Sequence, residues 1–146
     1  MIVTKKIKWV MGHALSAPYV GACNRCHGHN WEAEFSYSGL INEAGMVLDF
    51  AEFRKMKQWI DEFLDHRFYV KHNHPILEPY IEGKGEYSDD IEELGLVPVD
   101  FNPTSENFAI MLHGICAKLM DLFPDKLSVT VSETCSSSAT YHGETL

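Results

Sequence analysis

An α+β fold with a mostly antiparallel sheet follows from three observations in this 146-residue chain. Segments that alternate with a period of two, rich in Trp and β-branched residues, lie near both ends. Two segments with apolar residues at helical spacing lie between them. A stretch dense in Pro, Gly and acidic residues separates the two helical segments. The order read is strand, hairpin, helix, helix, strand.

Residues 2–10 set Ile2, Lys6, Lys8 and Val10 on one parity and Val3, Lys5, Ile7 and Trp9 on the other, which predicts a first strand. A loop through Ser16, Pro18, Gly21 and Asn24 leads to HNWEAEFSYSG, where Trp31, Ala33, Phe35 and Tyr37 alternate with polar residues in a second strand. After a turn over residues 39–45, the apolar run Met46 to Leu48 is expected to return as a third strand, hairpinned to the second. Asp49 is expected to cap the first helix with Glu52 as its capping-box partner, ahead of Phe50, Phe53, Met56, Ile60, Phe63 and Leu64. Residues 67–102 read as a long irregular excursion inside a single domain spanning residues 1–146. Thr104 or Ser105 caps a second helix carrying Phe108, Met111, Leu112, Ile115, Leu119 and Leu122, which stops before Pro124. Leu127, Val129 and Val131 mark the fourth strand, and a short one follows at residues 139–141. There is no internal repeat.

Lys and Arg total 12 against 21 Asp and Glu, a formal charge of −9 that opposes attraction to nucleic acid. No apolar run reaches membrane-spanning length, and the N-terminal segment alternates with lysines inside it, unlike a signal peptide. The chain therefore reads as soluble and cytoplasmic. In that setting Cys23, Cys26, Cys116 and Cys135 are expected to be thiols, metal ligands or nucleophiles before disulfides.

His27 and His29 are one residue apart at the start of the second strand, so a period of two sets both imidazoles on one face. His13, at the end of the first strand, comes beside them if the two strands pair antiparallel. Three histidines with an open position are an arrangement of catalytic zinc, and imidazole ligands disfavour calcium and magnesium. Spacing alone leaves a chance HxH and a packed His13 open. Cys23 precedes this pair in C-N-R-C-H-G-H, where a thiol near a dication and Arg25 suits a base or nucleophile. The rival is a closed Cys23–Cys26 zinc knuckle; against it, Cys26 adjoins His27 and should face away. Asp65 and His66 follow the first helix as a pair suited to proton transfer, though taken alone His66 reads as a helix C-terminal histidine. Glu133 can accept paired N–H donors from a guanidine-like heterocycle, or simply face solvent. His72 and His74 form a second HxH beside Pro75 and read as loop residues or an adventitious metal site.

The set C-N-R-C-H-G-H, L-D-H, P-T-S-E-N, S-E-T-C and Y-H-G-E, in this order and nearly end to end, resembles the 6-pyruvoyl- and 6-carboxy-tetrahydropterin synthase family. The resemblance implies a tunnelling fold: a four-stranded antiparallel sheet with two helices on one face, closed into a barrel by trimers that pair into a homohexamer with active sites between subunits. It also implies that His13, His27 and His29 bind Zn2+, that Cys23 is the catalytic thiol, that Asp65 and His66 relay protons, and that Glu133, Thr104 and Ser105 hold the pterin. The implied reaction acts on 7,8-dihydroneopterin triphosphate. In the carboxy branch of queuosine biosynthesis it yields 6-carboxy-5,6,7,8-tetrahydropterin, acetaldehyde and triphosphate; in the pyruvoyl branch the three-carbon side chain survives. The short spacer between Cys23 and His27 is similar to the carboxy branch. A non-catalytic zinc- or pterin-binding protein is the more distant alternative. The chain departs from the family at Gly12, where alanine is common, in the extra Cys26, and in the length of residues 67–102. Lys5, Lys6, Lys8, Arg25, Arg54 and Lys55 are candidate partners for the triphosphate.

Overall fold

The two long alternating segments pair with each other. In the computed structural model, which describes residues 1–143, β1 (Ile2–Ala14) and β2 (His27–Ser38) run antiparallel from Ile2 opposite Ser38 to His13 opposite His27. The final residue of the Y-H-G-E motif falls outside the described residues. The odd-numbered side chains of both strands face the core: Ile7, Trp9, Met11, Trp31, Ala33 and Phe35 are all buried. Their even-numbered neighbours Lys6, Glu32 and Glu34 form ion pairs on the opposite face.

The expected third strand does not form. Residues 39–49 contain no strand, and β2 pairs instead with β1 and with a strand from the C-terminal part of the chain. Asp49 does cap, accepting from the Ala51 amide at 2.8 Å, but the turn it opens is a 3-10 helix over Phe50–Phe53 that runs into α1 (Arg54–Phe63). Glu52 does not close a capping box; it bonds Lys55 at 2.7 Å.

The segment expected to be irregular contributes to the sheet. It holds β3 (Phe68–Lys71), a 3-10 helix (Pro75–Tyr80), a small ribbon of β4 (Ile81–Glu82) and β5 (Glu86–Tyr87), the single turn α2 (Asp90–Glu93) and β6 (Leu96–Val99). β3 pairs parallel with the end of β1, Gly12 opposite Phe68, and β6 pairs parallel with β3. The Phe68 ring lies so close over Gly12 that a Cβ at that position would stand 2.5 Å from Phe68 Cδ2.

Thr104 caps α3 (Ser105–Met120) by accepting from the Asn107 amide at 3.3 Å. β7 (Leu127–Thr134) then pairs with β2 and β8 (Ser137–Tyr141) with β7, giving one six-stranded sheet in the order β6-β3-β1-β2-β7-β8. The four-stranded expectation is thus corrected to six strands, of which the two unforeseen members of the main sheet, β3 and β6, are parallel additions at the β1 edge. α1 and α3 cover one face, contributing Met56, Ile60, Phe108, Leu112 and Cys116 to the core. Among the described residues no helix is long and apolar enough to cross a membrane.

Phe108 joins the layers, its ring lying 5.4 Å from Trp31, 5.3 Å from Tyr69 and 6.2 Å from Phe101. Phe108→Ala is expected to lower unfolding stability by about 3–5 kcal/mol in urea titrations. Burial pushes the Tyr69 phenol up to about 12. Folding therefore favours its neutral form, a contribution fully present below its ordinary value of 10.0 and lost as pH rises through about 12. Tyr69→Phe should accordingly flatten the alkaline decline in stability over that window, read from unfolding midpoints at successive pH values.

Candidate metal centre and active site

The pairing register builds the site. With Met11 opposite His29 and His13 opposite His27, three imidazoles emerge on the core-facing side where β1 and β2 meet. Glu133 joins them from β7, the strand on the other side of β2. The available ligand atoms of His13, His27, His29 and Glu133 all lie within 4.8 Å of one another. Four ligands about 2.0–2.2 Å from one ion would lie roughly 3.3–3.5 Å apart, so the cluster is of the right scale to close on a metal.

Local hydrogen bonds fix which nitrogen two of the three rings offer. His13 Nδ1 donates to the Pro103 carbonyl at 2.7 Å, and His27 Nδ1 donates to the Arg25 carbonyl at 2.6 Å. Both rings are thereby left with a free Nε2 lone pair, the arrangement common to metal-bound imidazoles. Burial is the main cause that holds His13 below the ordinary histidine range, so the ring favours its neutral, ligating form. Glu133 Oε1 stands 3.0 Å from His13 Nε2 and 2.8 Å from His29 Nε2. Close as they are, neither contact has hydrogen-bond geometry, and both buried nitrogens are without a hydrogen-bond partner. Two orphaned imidazole nitrogens aimed at one carboxylate oxygen are what a cation between them would satisfy. The residues present fit a metal.

Cys23 lies on the 3-10 turn Ala22–Asn24 before β2, half-buried. The neighbouring Cys23 side chain is the main cause that pushes the Tyr19 phenol up. Gly21 makes room for that phenol, because a Cβ there would lie 2.5 Å from the Tyr19 hydroxyl. Asn102 pins the start of the same loop with two hydrogen bonds to the Ser16 backbone, at 2.8 and 2.9 Å. Cys26 is exposed.

The Asp65–His66 pair is formed, His66 Nδ1 donating to Asp65 Oδ2 at 2.8 Å. It brackets β1: the Val10 amide donates to Asp65 Oδ1 at 2.9 Å and the His66 amide to the Val10 carbonyl at 2.8 Å. The Val10 amide is the first cause, and His66 a lesser one, of a carboxyl held below its ordinary value. The imidazole is mostly exposed, and among the described residues no hydrogen bond joins it to Cys23. Thr104 and Ser105 begin α3 directly after Pro103, the residue that orients His13.

A cleft of about 760 Å³ borders the cluster and is lined by His29, Glu133, Thr134 and Cys135, with Lys6 and Lys8 among its walls. Both lysines pair with Glu32, and Lys55 pairs with Glu52. Among the described residues Lys5, Arg25 and Arg54 carry no ion pair. The second HxH does not converge: His72 stacks on Tyr87 with centroids 5.6 Å apart, and His74 bonds to Asn24. The sequence alone had not joined Glu133 to the histidines or singled out Tyr19 and Asn102, and it left His74 as a loop residue or adventitious metal ligand, with no sign of its bond to Asn24. For Glu133 the available signal was its odd-numbered place in the run of Val129 and Val131, which sets it on the histidine face.

Divalent metal should raise the unfolding midpoint of the native protein. The gain is about 2.7 kcal/mol at a hundredfold excess over Kd, and it is lost in His13→Ala, as calorimetry with and without chelator will read.

The family described as 6-pyruvoyl tetrahydropterin synthase matches residues 2–144. A Halobacterium salinarum protein named probable 6-carboxy-5,6,7,8-tetrahydropterin synthase is 30% identical over 135 residues, covering 89% of this chain and 79% of that protein. The Aquifex aeolicus 6-carboxy-5,6,7,8-tetrahydropterin synthase is 29% identical over 86% of this chain and 78% of its own. Among solved structures, an uncharacterized protein from Wolinella succinogenes superposes with TM-score 0.80 at 28% identity, covering 99% of this chain and 98% of that one. A Plasmodium vivax 6-pyruvoyltetrahydropterin synthase variant shares the fold with TM-score 0.70 at 21% identity, over 97% of both chains. This chain belongs to the 6-pyruvoyl tetrahydropterin synthase family.

Proposed function

We propose that the protein is a zinc-dependent carbon–carbon lyase that converts 7,8-dihydroneopterin triphosphate and water to 6-carboxy-5,6,7,8-tetrahydropterin, acetaldehyde and triphosphate, in the cytoplasmic route to queuosine and related 7-deazaguanines. The observation that carries this reading is the convergence of His13, His27 and His29 beside a cleft and a cysteine-bearing turn, in a chain whose curated relatives are named for that activity. The three-residue spacer between Cys23 and His27 favours the carboxy product over the pyruvoyl one.

His13, His27 and His29 would hold the zinc, with His13 and His27 committed to Nε2 by their carbonyl partners. Zinc bound there supplies Lewis acidity toward the substrate's side-chain hydroxyls. Cys23, as a thiolate, takes a proton from the side-chain carbon and returns one at a later stage. His66, oriented by Asp65 through Nδ1, leaves Nε2 to carry the proton. Glu133 accepts paired N–H donors of the pterin's pyrimidine edge once it is released from the imidazoles. Thr104 and Ser105 line the pocket at the α3 N-terminus. Lys6 and Lys8 supply positive charge on the wall of the cleft for the triphosphate.

The dyad lies at Val10 and is not bonded to Cys23. We take it to serve the thiol of a neighbouring protomer in a homohexamer, a reading consistent with the exposed apolar side chains of Ile2, Val10 and Val20.

Incubation of zinc-loaded protein with 7,8-dihydroneopterin triphosphate should give 6-carboxytetrahydropterin and acetaldehyde by mass spectrometry, with Cys23→Ala lowering turnover at least a hundredfold while zinc content is kept. A pyruvoyl product would move the protein to the sister branch. Absence of turnover with zinc bound and the fold intact would leave a pterin-binding protein.

A further inference from the structure

The turn that carries Cys23 has no side-chain cap bond and buries none of its residues, yet its carbonyls are held one after another. Three consecutive carbonyls each receive one donor. The Cys23 carbonyl accepts from the Leu15 amide at 2.9 Å, the Asn24 carbonyl from His74 Nε2 at 3.0 Å, and the Arg25 carbonyl from His27 Nδ1 at 2.6 Å. The first donor belongs to the main chain just after β1 and the third to a residue of the metal cluster. The middle one is different in kind, because it reaches across from the 67–102 segment.

The tautomer of His74 is fixed by its second bond. The Ile76 amide donates to His74 Nδ1 at 3.2 Å, where His74 caps the 3-10 helix Pro75–Tyr80. With Nδ1 accepting, the ring proton is on Nε2, the atom aimed at Asn24. Pro75 follows at the first helical position and Leu77 is fully buried, so the imidazole is presented from an anchored element. Lys71 adds a longer bond to the Ala17 carbonyl at 3.5 Å.

We propose that His74 is a positioning residue: through the Asn24 carbonyl it fixes the backbone on which the Cys23 thiol is mounted, so that the 67–102 segment acts as a brace for the reacting turn. The inference rests on the reading of Cys23 as the catalytic thiol. Misplacement of a reacting group by about 1 Å can cost on the order of a hundredfold in rate while leaving binding intact, so the brace acts on kcat before KM.

His74→Asn tests this directly, since Asn can still cap Ile76 but is too short to reach Asn24. In zinc-loaded protein the variant should keep its zinc, its unfolding midpoint and its KM for 7,8-dihydroneopterin triphosphate, while kcat falls at least tenfold and the iodoacetamide alkylation rate of Cys23 changes severalfold. Wild-type kcat and alkylation would overturn the proposal. Should the variant fold poorly, His74→Gln and His74→Ala decide: recovery of kcat with Gln, which restores an N–H donor, supports the brace, and equal loss in both overturns it. Undiminished turnover by Cys23→Ala would instead remove the catalytic reading of Cys23, and the alkylation rate would still report whether His74 holds the turn.

Discussion

The antiparallel register of β1 and β2 is the constraint on which the rest of the molecule depends. One face of this pair carries Trp9, Trp31, Ala33 and Phe35 into the core, and the same face, continued toward the open end, carries His13, His27 and His29. A slip of one residue would turn the large apolar side chains to solvent and disperse the imidazoles at once. Trp31 reinforces the register by donating its indole N–H to the Met11 carbonyl at 3.1 Å. The free energy that selects the fold is therefore also what assembles the histidine cluster, and no separate organising energy is needed for the three imidazoles.

The parts legible in the sequence are those whose cause is local. β2 and β7 alternate cleanly because one face is buried, and Thr104 stands where α3 begins. The parts that escaped depend on partners distant along the chain. Phe68–Lys71 and Leu96–Val99 are four-residue runs with no strong alternation, one interrupted by Pro98, and they become strands only because β1 offers an edge on which β3 and then β6 can pair. Met46 to Leu48 has the opposite history. It is apolar enough to suggest a strand, but the neighbouring edge of β2 is taken by β7 and it is left as a loop. Glu52 shows the same competition at smaller scale, its carboxylate going to Lys55.

Of the expected site residues, the three histidines converge through strand pairing alone, whereas Asp65 and His66 are arranged by contacts no periodicity reveals. His66 adopts a φ of 59°, uncommon for a residue with a side chain, and does so where its amide and the Asp65 carboxylate together clasp Val10. Local conformational preference yields there to the need to satisfy the backbone of β1 just before β3 takes over its edge. Burial likewise explains the unequal thiols: it pushes Cys116, inside α3, up to about 12, and Cys26 stands in solvent.

The closeness of Phe68 to Gly12 bears on how this sequence can change over time. A methyl group at position 12 needs space that the Phe68 ring occupies, and a smaller residue at position 68 would leave a gap over the glycine. The two positions, 56 residues apart in the chain (68 − 12), thus form one heritable unit whose members are costly to alter singly. A side chain can be added at position 12 only if the Phe68 ring shifts or shrinks, so the order of the two changes, and not only their sum, sets how costly the intermediate is.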